Sequence, residues 1–112
     1  MSKVYITHDQ PQFDYNPARE YGELVTVTSN RYSYKKRSNE VLIQEVIEVL
    51  DDFDPENDFI LPSGSAISTG LVFARMAANG VNTFKVLMWR SDRGAYEIME
   101  IDITGILEDS DV

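Results

Sequence analysis

Residues 58–80 read DFILPSGSAISTGLVFARMAANG. A short apolar run, Phe59, Ile60 and Leu61, is stopped by Pro62, which lacks the N–H a sheet ladder needs. A Gly/Ser turn follows with hydroxyls at Ser63, Ser65, Ser68 and Thr69. Beyond it Ile67, Leu71, Val72, Phe73 and Met76 recur at helical spacing, and Arg75 is the one charged residue. The spacing predicts a helix over 65–79, ended by a left-handed cap at Asn79-Gly80. A helix so poor in charge is expected to pack over most of its circumference. Arg75 is expected to reach the surface or to meet a carboxylate, because an unpaired buried guanidinium is costly.

Working outward, the flanks supply the rest of an α/β pattern. KVYIT at 3–7 and ELVTVT at 23–28 are β-rich and predict two strands. Between them HDQPQFDYNPAREYG holds two prolines and predicts a loop pinned by Phe13, Tyr15 and Tyr21. A first helix is expected to start near Ser38 or Asn39, with Leu42, Ile43, Val46, Ile47, Val49 and Leu50 on its buried side. Pro55 closes the segment after it, and Phe59 to Leu61 become the third strand. FKVLMWR at 84–90 and AYEIMEIDI at 95–103 predict a hairpin with Gly94 in its bulged turn. The order is β-β-α-β-α-β-β. It predicts an α/β fold: a small mixed, mostly parallel sheet of about five strands, two helices and a C-terminal antiparallel hairpin at the edge. Residues 1–107 are read as a single domain and 108–112 as an acidic, frayed tail.

The 112 residues include no cysteine, which excludes a disulfide scaffold and any Cys-based zinc site. The N-terminus lacks the apolar core of a signal peptide, and no run approaches the length that spans a bilayer, so the chain is read as soluble and without a membrane partner. Against 10 Lys and Arg stand 19 Asp and Glu, a net charge of -9 that repels phosphate backbones and argues against general nucleic-acid binding. The charge is also segregated. Residues 40–58 carry Glu40, Glu45, Glu48, Asp51, Asp52, Asp54, Glu56 and Asp58 with no basic residue, whereas Arg31, Lys35, Lys36 and Arg37 form a basic island just before.

Two surfaces stand out as candidate sites. In open α/β sheets ligands gather at the carboxyl ends of strands, where helix N-termini offer free N–H groups. Ser63, Gly64, Ser65, Ser68 and Thr69 occupy such a position and form a candidate cradle for a nucleotide or other anion. They match neither a Walker loop nor a GxGxxG fingerprint. The plainer reading, favoured by the residue types, is that Ser63 or Ser65 caps the helix while Ser68 and Thr69 pack or bond back. The second candidate is a partner-binding surface of Glu45, Glu48, Asp51, Asp52 and Asp54, with Trp89 as an interface anchor. The basic, tyrosine-bearing island at 31–37 is read as a solvated loop, and His8 as a surface residue. No catalytic constellation, metal-ligand set or cofactor motif is found.

THDQPQFDYNPAREYGELVTVT at 7–28, DFILPSGSAI at 58–67 and KVLMWRSDRGAYEIMEIDI at 85–103 together carry a resemblance. The chain resembles small proteins of uncharacterised activity carried by short-tailed bacteriophages, including those of marine bacteria. The resemblance implies a viral origin and a place in the cytoplasm of an infected host cell, and it brings no activity with it. With the charge pattern it leads to the expectation of a non-enzymatic protein that binds and modulates a host or phage protein with a basic surface. A small-ligand domain using the 63–69 turn and a minor virion component are the alternatives, and a homodimer is compatible with the sequence.

Overall fold

The computed structural model describes residues 2–29 and 39–108. The basic island at 31–37, Ser38 as a cap, and residues 109–112 of the expected tail lie outside the described residues.

Five strands form one sheet: β1 (Lys3–His8), β2 (Glu23–Thr28), β3 (Phe59–Leu61), β4 (Thr83–Arg90) and β5 (Ala95–Asp102), in the order β2-β1-β3-β4-β5. The pairs β1–β2, β1–β3 and β3–β4 are parallel, and β4–β5 is antiparallel. The expected α/β class, the mostly parallel sheet and the edge hairpin are therefore all present. A 3-10 helix (Asn16–Glu20) joins β1 to β2, α1 (Asn39–Leu50) joins β2 to β3, and α2 (Ala66–Ala78) joins β3 to β4. A short α3 (Thr104–Glu108) follows β5, so the chain is helical through Glu108, one residue past the point where fraying was expected.

The strand order decides how the two faces are covered. The chain steps from β1 to β2 in one direction and then crosses back to β3 and β4 in the other. Crossovers of one hand then fall on opposite faces. On one face Val46 and Leu50 of α1 and Val72 and Met76 of α2 pack over Tyr5, Val27, Ile60, Phe84 and Val86. On the other, among the described residues, Val4, Ile6, Phe59, Leu61 and Leu87 have Ala18 of the 3-10 helix as their one buried partner from outside the sheet, with Tyr15, Tyr21, Leu24 and Tyr96 beside it. Alternate residues of β1 and β3 are thus buried on both sides, as central parallel strands require.

α2 differs from expectation. Only Ser68, Val72 and Met76 are buried along it, while Ile67, Gly70, Ala74 and Ala78 are exposed. Alanine and glycine leave an outer face uncharged without needing burial, and a low charge count did not distinguish the two cases. Arg75 is half-buried, and its Nε is enclosed with no acceptor among the described residues. The predicted C-terminal cap is present: Gly80 takes φ +78°, with Val81 N–H bonded to Met76 O and Gly80 N–H to Ala77 O.

The amino end of the sheet is tied by Asp58, a buried carboxylate. Its Oδ1 accepts the Lys3 N–H at 2.8 Å and its Oδ2 the Asp54 N–H at 2.8 Å, joining β1 to the loop that enters β3. Asp58→Ala leaves both N–H groups without that acceptor and is expected to cost about 1–3 kcal/mol in urea denaturation. Nearby, burial first and the charges of Asp58 and Asp52 second push the Tyr5 phenol up to about 12 from its ordinary 10.0. The folded chain then holds this proton more tightly than the unfolded one, so its contribution to stability is complete below pH 10 and is lost as pH rises toward 12. Tyr5→Phe is expected to flatten the fall in stability over that window, measured by denaturation at stepped pH.

Candidate functional site

Between β1 and β3 the chain reverses its direction of travel, and ligand sites of open α/β sheets lie at the carboxyl ends of such strands. Here the two ends are closed by protein side chains. Thr7 Oγ1 donates to Ser63 O at 2.9 Å and accepts Ser63 N–H at 2.9 Å. With its one proton engaged, it also accepts from the Thr69 hydroxyl at 2.8 Å. Ser65 is the N-cap of α2, its hydroxyl accepting Ser68 N–H at 3.2 Å. Ser68 is buried. The Ser63 hydroxyl bonds Tyr15 Oη at 2.7 Å, and that oxygen accepts Gln10 N–H at 3.0 Å.

Gly64 sits at φ +71°, and a Cβ there would lie 2.8 Å from His8 Cδ2 and 3.0 Å from His8 O. The close backbone approach that glycine permits is made by His8. His8 is itself buried rather than on the surface, with Nδ1 2.8 Å from Thr28 Oγ1. Thr28 donates its proton to Thr7 O at 2.8 Å, so His8 Nδ1 carries the hydrogen in that bond. The expected cradle residues thus form a polar junction linking β1, β2, β3 and α2.

Beside this junction, on the face that the 3-10 helix covers incompletely, lies an open cleft of about 790 Å³. Its floor includes Leu61 and Leu87, and Phe13 and Tyr15 face it from the loop after β1. Trp89 and Tyr96 face it from the hairpin, directly paired across strands, with ring centroids 5.0 Å apart and planes at 70°. Phe13 is 58% exposed and Trp89 50%, unusual values for rings beside an apolar floor. Tyr96 is fixed from behind, its carbonyl accepting the Tyr21 hydroxyl at 3.2 Å. Burial raises the Tyr96 phenol above its ordinary value, with Tyr15 and Asp14 adding to the shift.

The expected site residues are therefore regrouped. Ser63 and Gly64 line the cleft with Trp89, whereas Ser65, Ser68 and Thr69 belong to the junction behind it. Trp89 is on the sheet face opposite α1, away from the acidic residues with which it was grouped. Among those, Glu48 accepts Gln44 Nε2 at 2.9 Å, and Asp51 and Asp52 are exposed. Asp54 organises its own loop by accepting Asn57 Nδ2 at 2.7 Å and Glu56 N–H at 3.0 Å, which hold its carboxyl below the ordinary range. Sequence reading missed Asp14 and Tyr96 as cleft residues. Counting back from the hairpin turn pairs Trp89 with Tyr96, and that signal was available.

Fold and cleft together define a small open α/β domain with an aromatic-walled recess at the carboxyl edge of its sheet. The chain belongs to the Phage Pam3 gp32-like protein family, whose model matches residues 2–103. It is thus a bacteriophage-type protein, as the resemblance implied. Comparison with curated proteins and with solved structures finds no match. Among the described residues no helix is long and apolar enough to cross a membrane, and no group of His, Asp and Glu side chains converges as metal ligands do.

The junction predicts a measurable penalty. Gly64→Ala forces a Cβ against His8 at a positive φ and is expected to cost about 1–3 kcal/mol. Thr69→Val removes one hydroxyl from Thr7 and is expected to cost about 1 kcal/mol, both read by thermal and urea unfolding.

Proposed function

We propose that this phage protein is a non-enzymatic binding module that takes hold of a partner protein, of host or phage origin, inside the infected cell. The observation that carries this reading is the open aromatic cleft with half-exposed Trp89 and Phe13 at its rim. Large exposed rings around an apolar floor are the usual anchors of protein recognition, and tryptophan and tyrosine dominate such hot spots. The acidic ridge of α1 and the loop after it lies elsewhere on the molecule and contributes a long-range field that favours basic partners and speeds their encounter.

The small-ligand alternative draws on one observation, that Ser63 and Gly64 line the cleft. Against it stand the engaged hydroxyls of the turn and the net charge of -9, both unfavourable to phosphate. A nucleotide panel separates the readings, since a bound nucleotide raises the melting temperature by mass action.

The direct test is capture of partners from infected-cell lysate by the tagged chain. Trp89→Ala is expected to weaken capture about tenfold or more while lowering the melting temperature only by the loss of its packing on Tyr96, so that the variant is still folded at the temperature of the assay. Joint reversal of Glu45, Glu48 and Asp52 to Lys is expected mainly to slow association and reduce its salt dependence. Capture that Trp89→Ala leaves intact, or a nucleotide that stabilises the chain while no protein is retained, overturns the proposal.

A further inference from the structure

Resting on the cleft as the binding surface, a second question concerns the chemistry of what enters it. Four rings face the space: Trp89 and Tyr96 as a perpendicular pair, and Phe13 and Tyr15 with centroids 6.3 Å apart and planes at 48°. Such an arrangement offers ring faces in more than one plane, and the negative face of an aromatic ring attracts a cation. Asp14, between the two loop rings, is the only charged side chain among the described residues that line the cleft. Its Oδ1 accepts Asn16 N–H at 3.0 Å, which orients the carboxylate at the start of the 3-10 helix.

Three classes of occupant meet this environment differently. An anion faces Asp14 at short range and a net charge of -9 at long range. A wholly apolar group covers the rings but takes water from Asp14 without replacing it. A guanidinium stacks flat on the rings and hydrogen-bonds a carboxylate at its edge, while its apolar stem lies on surfaces such as Leu61 and Leu87. The cleft volume of about 790 Å³ exceeds one side chain, which leaves room for the residues beside it.

We propose that the cleft receives an arginine-bearing basic segment of the partner protein, with the guanidinium stacked among Phe13, Trp89 and Tyr96 and paired with Asp14. Arginine fits better than lysine because its planar, weakly hydrated head group both stacks and binds carboxylate through two parallel bonds.

Trp89 is the single tryptophan of the chain, so its fluorescence reports on this site directly. The full chain is titrated with a short arginine–glycine peptide and with the same peptide carrying citrulline, which keeps the shape and removes the charge. The arginine peptide is expected to change Trp89 emission saturably and to bind about tenfold more tightly than the citrulline peptide. Asp14→Asn keeps an oxygen for Asn16 N–H and is expected to weaken arginine binding about threefold. Phe13→Ala, at an exposed ring, is expected to weaken it also. Equal binding of the citrulline peptide, or tighter binding of a proline-rich peptide, overturns the arginine proposal and leaves the cleft as a protein-binding surface. Calorimetric binding of the arginine peptide that survives Trp89→Leu places it on the acidic ridge and overturns the proposal as well. If no peptide alters Trp89 emission and Trp89→Ala still captures its partner from lysate, both readings fall.

Discussion

The rest of the molecule depends on one topological constraint, the reversal of direction at β1. Because β2 and β3 flank β1 on opposite sides, the first crossover passes over one face of the sheet and the next two over the other. Two helices of 12 and 13 residues fill the second face. A five-residue 3-10 helix with one buried side chain serves the first. Its loop, anchored through Ala18, Tyr15 and Tyr21, packs over Val4, Ile6, Phe59, Leu61 and Leu87 and reaches Tyr96, but leaves the end of the hairpin that carries Trp89 open. Successive side chains of a strand point to opposite faces, so with Phe84 and Val86 of β4 under the helices, Leu87 and Trp89 project into the thin layer, and Tyr96, paired with Trp89, joins them. The cleft is the space that layer leaves.

The hydroxyl junction at the carboxyl ends of β1 and β3 has a matching mechanical role. Thr7 bonds both the backbone of Ser63 and the side chain of Thr69, so the strand–turn–helix is fastened to the central strand on the helical side. Ser63 reaches in the other direction to Tyr15, fastening the same turn to the loop that forms the cleft wall. A buried, satisfied polar network of this kind fixes geometry at modest net stabilisation, because each bond replaces one made to water. It holds the recess in shape from its hidden side.

Charge and aromatic surface are kept apart. The acidic residues of α1 and the 51–58 loop lie on the helical face and at the amino end of the sheet, and part of that charge is internal scaffolding, as the bonds of Asp54 and Asp58 illustrate. The rings lie on the opposite face at the carboxyl end. Such a separation suits a division of labour in which distant charge governs encounter and a local recess governs retention.

Local pattern alone carried the element order. β2 and β3 fall on the residues where β-branched and apolar runs placed them, and the caps Ser65 and Asn79-Gly80 bound α2 because cap chemistry is read from neighbouring residues. The 3-10 helix and α3 escaped, being too short to establish a period. The hydroxyl-rich turn was legible as a helix start, but whether its hydroxyls faced a ligand or each other depended on Thr7, 56 residues away from Ser63 in sequence. Likewise Trp89 was conspicuous as a ring, yet its neighbours Phe13, Asp14 and Leu61 come from other elements. Periodicity and capping are short-range properties, so the sequence by itself determined the elements, their order and the acidic balance. The site is a matter of which face each crossover covers, and only the folded chain, by leaving one face thinly covered, decided that Trp89 would line a cleft with Tyr15 and Ser63 instead of lying beside the acidic helix.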